Sequence, residues 1–380
     1  MAQPLKKKEV KSFSVKNFKS DFLGENSKTA DKELEWIVMP KAFQDALKLP
    51  GFPMGRTSLI RGRSDTGKST LKNCAIAAAM KQGILPIIFE TEGNFDFQYA
   101  KDCGMDITPI YEENEYIDEE TGEVKKVREI VDWEGDYILF TNKKICDFCG
   151  NIDHNTGKTT KAKRLVPLIE DIGYIINTFI EQQEKGELPM PLLFVWDSVG
   201  SIQSQRSYDS KTGNNMFDAG AISQTFKPIL GRIATSKEVG MPYTNTFIAV
   251  NKIWTDSANS TGGAVAVANS GGDTLFYGCR LGVHVGGIAR AGTKRLKAVL
   301  KGEEYQYGNV TKISVFKNQL PTPFNVTYNG TMCCVHNGII SEDEIDKYKK
   351  EHLSTILNRL NTQNIENIND ITFTEEGEVE

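Results

Sequence analysis

The sequence predicts an α/β protein in which a largely parallel central sheet is flanked by helices, and three observations carry that expectation. Short β-branched and apolar runs at residues 57–60, 84–89, 192–196 and 245–251 have the length and texture of strands buried on both faces. Between them, residues 71–80 and 165–182 carry apolar residues at helical spacing, the second with Leu165, Leu168, Ile169, Ile172, Ile175, Ile176 and Ile180. A glycine-bounded loop joins the first strand to the first of these helices. Its residues Gly62, Arg63, Ser64, Asp65, Thr66, Gly67, Lys68 and Ser69 fit G-x-x-x-x-G-K-[ST].

The bulk composition agrees with a folded core. The chain has 380 residues, 39% hydrophobic and 25% charged, enough for one large core or two modest domains. A net charge of -5 excludes a uniformly basic nucleic-acid coat but leaves room for a local basic groove. Seven cysteines behind a polar, Lys-rich opening point to reduced thiols and a cytoplasmic protein rather than a disulfide framework. No apolar run approaches the roughly 20 residues of a membrane span, so no membrane partner is expected.

In chain order, residues 1–35 read as an N-terminal arm, with Lys6, Lys7, Lys8, Lys11, Lys16 and Lys19 interleaved with Phe13, Phe18 and Phe22. A solvated tail and a segment that docks on a second subunit or on nucleic acid both suit it. The core is expected over residues 36–338, opening with a helix at 36–49 that Pro50, Gly51 and Pro53 end. Glu90 and Glu92 follow the second strand. The carboxyl edge of a parallel sheet is where ligands bind, so an acid there can orient a water beside a phosphate, although two strand-end glutamates could equally be solvated.

Residues 111–163 change texture and read as an insertion, two polar strands around a turn and then CDFCGNIDH. Cys146, Cys149 and His154 are spaced as three zinc ligands. A fourth would have to come from Asp147, Asp153 or a distant cysteine, and free thiols on a hairpin are the other reading. The strand at 192–196 ends in Asp197, whose carboxylate can hold a Mg²⁺ ion or its water opposite Lys68 and Ser69.

Two polar, small-residue stretches, 203–219 and 252–270, each follow a core strand and read as loops that order on a partner. A helix over 220–236 separates them. Strands are expected at 281–285, 294–300, 312–316 and 324–328, where Arg280, Arg290, Lys294, Arg295, Lys297 and Lys301 gather positive charge. Residues 339–380 read as a C-terminal helix and a disordered acidic tail; residues 362–380 hold six acids and no Lys or Arg.

With these motifs in order, the chain from Met39 to about Val335 resembles the RecA-type DNA strand-exchange recombinases, and most closely their bacteriophage UvsX-like members. The resemblance rests on PMGR before the phosphate loop, IFETEGNFDFQYAKDCGMD, FVWDSVG, FIAVNKI, GGDTLFYGCRLGV and VFKNQLPTPF, in the family's order and spacing. It implies a RecA-type P-loop ATPase core, ATP and Mg²⁺ as cofactors, and a DNA-dependent ATPase that forms helical filaments on single-stranded DNA and exchanges strands with a duplex. Partners would be single- and double-stranded DNA and further copies of the chain, with a single-strand-binding protein and a loader as additional candidates.

Residue by residue, the resemblance implies that Glu92 polarises the attacking water and that Asp197 is the metal acid. Lys68, Ser69 and Thr70 serve the phosphates, while Asp96 and Tyr99 meet adenine. Asn251 or Lys252 would sense the γ-phosphate, Lys252 standing where the family usually has Gln. Lys317 would reach the ATP of the adjacent subunit, and Gln319 replaces a second lysine found in many bacterial members. The two loops would bind DNA through Gln205, Arg206, Lys211, Asn214 and Asn215 in the first, and through Lys252, Trp254, Gly262, Gly263 and the adjoining Gly271 and Gly272 in the second. A RecA-fold hexameric helicase and a non-catalytic adaptor are the rival readings. The helicase would need a substantial extra domain, and the adaptor is at odds with the intact set Lys68, Ser69, Glu92 and Asp197.

Overall fold

The computed structural model describes residues 14–15, 19, 21–22, 30–117, 124–211, 215–261, 264–269, 273–288, 292–300, 302–359 and 371–377. Most of the N-terminal arm lies outside these residues. Its end is tied down: Lys32 N donates to Lys237 O at 2.8 Å, and the Lys32 ammonium reaches Thr244 Oγ1 at 3.0 Å.

Six strands run parallel through the centre, as the buried apolar runs require. They are β3 (Thr57–Gly62), β4 (Leu85–Glu90), β7 (Ile138–Thr141), β10 (Leu192–Val199), β11 (Thr246–Thr261) and β13 (Leu281–Val285), in spatial order β13-β3-β11-β10-β4-β7. Antiparallel strands β15 (Glu303–Asn318), β16 (Asn329–Val335) and β17 (Gly338–Ile340) extend the sheet beyond β13, and β14 (Thr293–Leu300) pairs with β15. The small strands β1 (Trp36–Val38) and β2 (Gly51–Pro53) pair with each other around helix α1 (Lys41–Leu47). The helix expected over 36–49 is therefore a strand and a shorter helix, with Pro40 at the junction.

Helices cover both faces. Helix α2 (Lys68–Lys81) packs its Leu71, Ala75 and Ile76 with α1 and with Ile60, Ile88, Val195 and Val250 of the strands. On the opposite face α5 (Ile169–Glu184) and α7 (Asn215–Thr235) bury Ile172, Ile176, Ile222, Phe226 and Ile229 against Leu59, Phe89, Trp196 and Phe247. Alternating strand residues thus feed two separate cores. No described helix is long and apolar enough to cross a membrane.

The stretch expected as one insertion is divided. Strands β5 (Ile107–Ile117) and β6 (Val124–Gly135) form a projecting two-stranded ribbon. The apolar residues that follow build β7, an edge strand of the main sheet, and α4 (Asn142–Cys149), whose Ile145, Cys146 and Cys149 are buried. A minimal hairpin of β8 (Ile152–Asp153) and β9 (Lys158–Thr159) completes it. The stretch 203–219 is largely helical rather than loop: α6 (Gln205–Ser210) is capped by Ser204, and α7 begins at Asn215. Asp218 accepts hydrogen bonds from Ser204 N, Ser204 Oγ and Ser207 Oγ, so the polar residues bond among themselves instead of to solvent. Residues after Asn251 continue β11 into an antiparallel hairpin with β12 (Ala264–Asn269), and the short helix α8 (Thr274–Gly278) leads on to β13.

Three further differences lie at the C-terminal end. Residues 324–328 form no strand and lead into β16. The final helix is broken into α9 (Ile345–Glu351) and α10 (Leu353–Arg359). Within the tail expected to be disordered, β18 (Thr372–Glu376) pairs antiparallel with β14. Its Glu375 pairs with Lys294, and Glu376 lies 2.7 Å from the Lys297 ammonium, so the acids are seated on the basic strand. Ile371 and Phe373 join the small apolar cluster of Leu296, Tyr307 and Tyr348, which anchors the strand.

Candidate functional site

The phosphate loop connects β3 to α2 at the carboxyl edge of the sheet. Gly67 has φ of 100° at the helix N-cap, and a Cβ there would sit 2.4 Å from Cys334 Sγ. A Cβ on Gly62 would meet the Val285 carbonyl oxygen at 2.2 Å. Both glycines are thus required by close approach, and the helix N-terminus is left open as an anion cradle. Thr66 Oγ1 donates to the Arg63 carbonyl at 3.0 Å, and the Arg63 guanidinium holds the Ile288 carbonyl at 2.9 Å. The Lys68 ammonium folds back on the Arg63 carbonyl. Burial lowers its pKa, partly offset by Asp197. Ser69 is exposed in the first turn of the helix.

A cavity of about 680 Å³ opens over this loop. One wall is Ser64 to Thr70 with Tyr99, whose hydroxyl bonds Thr70 Oγ1. The other is Arg295, Tyr305, Tyr307, Asn309, Cys334 and His336 from β14, β15 and the end of β16. Asn309 Nδ2 donates to the Asp65 carbonyl at 3.3 Å and so ties the far wall to the loop. Asp96 is outside this lining: it is exposed and caps α3 (Phe97–Asp102) by accepting from Tyr99 N at 2.9 Å.

The acids at the neighbouring strand ends are differently held. Asp197 and Glu90 are register partners on β10 and β4, and the buried Lys72 ammonium lies 2.6 Å from Asp197 Oδ2 and 3.4 Å from Glu90 Oε2. Glu90 Oε1 accepts from the backbone N–H of Glu92 at 3.1 Å and of Asn94 at 3.4 Å. Glu90 is therefore a structural acid, 2% exposed, and burial raises its pKa against the pull of Lys72. Glu92 is the reachable one. Its carboxylate lies 2.8 Å from the Lys252 ammonium, accepts from Ser198 Oγ, and borders a cavity of about 370 Å³ shared with Thr91, Asn94 and Ser201. Burial alone would raise its pKa, and the Lys252 and Ser198 contacts outweigh that to hold it below the usual carboxylate range.

Asn251 is buried next to Lys252 on β11, level with Arg61 of β3. Lys252 faces Glu92 and is ion-paired with it within the chain. Lys317 donates to the carbonyls of Phe276 and Tyr277 at 2.7 and 2.8 Å. Strand register sets it level with Leu59, three residues short of Gly62 and two strands aside, so it stands away from its own phosphate loop.

Among the candidate DNA contacts, Gln205 is 5% exposed in this DNA-free chain, and its amide donates to Asp209 Oδ1 at 3.0 Å. Arg206 is exposed over the Phe217 ring at 3.9 Å, and Lys211 is exposed after the helix. Asn214, Gly262, Gly263, Gly271 and Gly272 lie outside the described residues, as do Arg290, Lys301 and the side chains of Asn215 and Trp254. The zinc reading of Cys146, Cys149 and His154 is corrected. The thiols are buried on the inner face of α4, while His154 Nε2 bonds Asp171 Oδ1 at 2.6 Å beside Arg164. Among the described residues no three His, Cys, Asp or Glu side chains are grouped to hold a metal. Asp171 is committed instead to its helix N-terminus, accepting from Leu168 N at 2.8 Å.

Sequence reading missed Lys72 and the far cavity wall. Lys72 was visible in principle: a lysine in an otherwise Ala-rich helix that packs on all sides has no solvent face and needs a buried acid. Arg295, Tyr305 and His336 carry no local motif, because their approach to the loop depends on the antiparallel extension of the sheet.

A glycine cradle with lysine and serine at a helix start, beside strand-end acids of a parallel sheet, defines an α/β protein of the P-loop class. Comparison narrows the class. The RecA N-terminal domain model matches residues 16–129. The chain is 24% identical over 287 residues to the protein RecA of Chlorobaculum parvum, covering 75% of this chain and 61% of that protein. It is 22% identical over 285 residues to protein RecA of Chlorobaculum tepidum, with 74% and 61% covered. Over 66 residues it is 42% identical to protein RecA of Mesomycoplasma hyopneumoniae, 17% of this chain and 20% of that one. The chain is thus similar to RecA proteins at distant identity, and it spans about three fifths of the length of the Chlorobaculum proteins.

Proposed function

We propose that this chain is an ATP-hydrolysing DNA strand-exchange protein of the UvsX-like kind that works as a filament on single-stranded DNA. The observation that carries the reading is the contact between Lys252 and Glu92 at 2.8 Å. Lys252 stands in β11 where that strand leaves the sheet to form the β11–β12 hairpin, the second candidate DNA element. One ion pair therefore links the base of this candidate DNA hairpin to the acid best placed to orient water.

In this reading the α2 N-terminus and Lys68 hold the β- and γ-phosphates of ATP, and Tyr99 with the wall of Arg295 and Tyr305 encloses the nucleoside. The residues fit a divalent cation: Ser69 and Asp197 would hold Mg²⁺, which supplies charge neutralisation on the phosphates when bound. Glu92 takes the proton side of the attacking water. DNA engaging the hairpin withdraws Lys252 and leaves Glu92 free to do so. Lys317, satisfied within its own chain by two carbonyls, would turn to the nucleotide of the adjacent copy. Backbone contacts and stacked bases hold the single strand, and pairing with the homologous duplex supplies sequence selectivity. β18 seats Glu375 and Glu376 on Lys294 and Lys297, which supports a tail that competes with duplex DNA for those lysines.

Incubation with circular single-stranded DNA, homologous linear duplex and ATP tests the reading. Joint molecules support it. Unwinding without pairing would favour a helicase, and neither activity a non-catalytic adaptor.

A further inference from the structure

The hydrolysis site contains a second lysine that no phosphate-loop pattern includes. Lys72 follows Lys68 by four residues, so the two share one face of α2. Lys68 heads the helix at the phosphate cradle. One turn deeper, the Lys72 side chain is 4% exposed and sits between two strand ends.

Those strand ends create the need for it. Glu90 and Asp197 are neighbours in parallel register, and two adjacent buried carboxylates repel each other strongly in a poorly hydrated setting. The Lys72 ammonium lies 2.6 Å from Asp197 Oδ2 and 3.4 Å from Glu90 Oε2, with the Phe95 ring 5.4 Å away closing the site. Asp197 is thus gripped by one oxygen, and among the described residues Oδ1 has no hydrogen-bond partner. The other acid carries the effect onward: Glu90 Oε1 accepts from the N–H groups of Glu92 and Asn94, the turn that presents the Glu92 carboxylate.

We propose that Lys72 is a positioning residue of the hydrolysis site, its one buried ammonium fixing the Asp197 carboxylate directly and the Glu92 turn through Glu90. Its contacts are with Glu90, Asp197 and the Phe95 ring. It sets two separately encoded groups, one on β10 and one after β4, in a single arrangement referred to the same helix that carries the phosphate cradle. This inference rests on the proposed ATPase reading, since positioning matters only if Asp197 and Glu92 serve hydrolysis.

Lys72→Met alone leaves two buried acids without a cation and is expected to fold poorly. The informative variant is Lys72→Met with Glu90→Gln. The trio Lys72, Glu90 and Asp197 carries one net negative charge, and so does the doubly substituted trio, while the amide that replaces the Glu90 carboxylate keeps an oxygen for the turn. If Lys72 only balances charge, this variant works like the parent. If it positions, kcat for ATP falls by about 30-fold or more while KM stays within about 3-fold, the pattern of a lost transition-state interaction. Amide hydrogen exchange without metal or nucleotide reads the same arrangement independently: the Glu92 and Asn94 amides should exchange about 10-fold faster than in the parent. A kcat within about 3-fold of the parent, with unchanged exchange at those two amides, overturns the proposal. Lys68→Ala, assayed in parallel, separates the two claims. Turnover that survives Lys68→Ala removes the reading of this phosphate loop as the hydrolysis site, whereas turnover lost in Lys68→Ala and undiminished in the balanced variant removes only the role of Lys72.

Discussion

Replacing Lys252 with Gln should raise ATP turnover measured without DNA and shrink the stimulation that single-stranded DNA produces. The Lys252–Glu92 pair is 2.8 Å long, and its side chains are 46% and 17% exposed. Two unit charges at that distance would attract by about 6 kcal/mol at an effective dielectric of 20. A half-exposed ammonium is screened by water and salt, and measured pairs of this kind contribute at most about 1 kcal/mol. Freeing Glu92 from the ammonium should therefore raise the basal rate by about 5-fold, the factor that 1 kcal/mol represents. The DNA-stimulated rate, in which Lys252 is already withdrawn, should change little. The fold-stimulation then drops by that same factor, with KM for ATP unaltered. The assay is steady-state phosphate release with and without single-stranded DNA, beside a thermal melt. The melting temperature should shift by no more than about 3 °C, since only a surface-screened pair is lost. A basal rate that falls about 10-fold instead would refute the reasoning and make Lys252 a direct contact of the phosphate in the transition state.

Other expectations follow from the same geometry. Glu92→Gln should keep nucleotide affinity, read by a fluorescent ATP analogue, and lose hydrolysis, whereas Lys68→Ala should lose turnover through the phosphates themselves; intact turnover in Glu92→Gln would shift the role to another acid. His284, 3% exposed in β13, has its pKa lowered to about 4 by burial and by Arg61. Its unfolded form takes a proton as pH falls below about 6.5 while the folded form does not, so stability declines from there to about pH 4 by roughly 3 kcal/mol. Urea unfolding of His284→Gln should lose less stability than the parent over that window, and identical pH slopes would contradict the assignment. Glu375→Gln with Glu376→Gln should release Lys294, while Lys297 keeps Glu304 at 2.9 Å, and strengthen duplex binding at low salt, with the salt dependence steeper by about one counterion; an unchanged affinity would remove the competing-tail idea.

What could be read before the structure was whatever depends on local pattern. The phosphate loop needed only its own spacing, a β-branched run before it and an apolar helix after it, and β3 and α2 follow those signals closely. Asp197 stood out because an uninterrupted apolar strand ended in an acid, and that strand is buried along its whole length. Polar composition was a poorer guide. Residues 203–219 looked like a loop, yet Ser204, Ser207 and Asp218 satisfy one another at the joint between two helices. The acidic tail looked disordered because its charge was counted without its partner strand; β14 supplies both the lysines and the ladder that order it. Glu90 and Glu92 could not be told apart by spacing. The difference is three-dimensional, since only Glu90 has Lys72 and two backbone amides around it, and only Glu92 borders the open cavity.

The central claim is that one site couples ATP hydrolysis to a DNA-bound filament, and electron microscopy with single-stranded DNA and a non-hydrolysable ATP analogue tests it most directly. The account predicts extended helical filaments for the parent chain and for Glu92→Gln, and none for Lys68→Ala. Closed rings, or filaments that form equally well in Lys68→Ala, would contradict it.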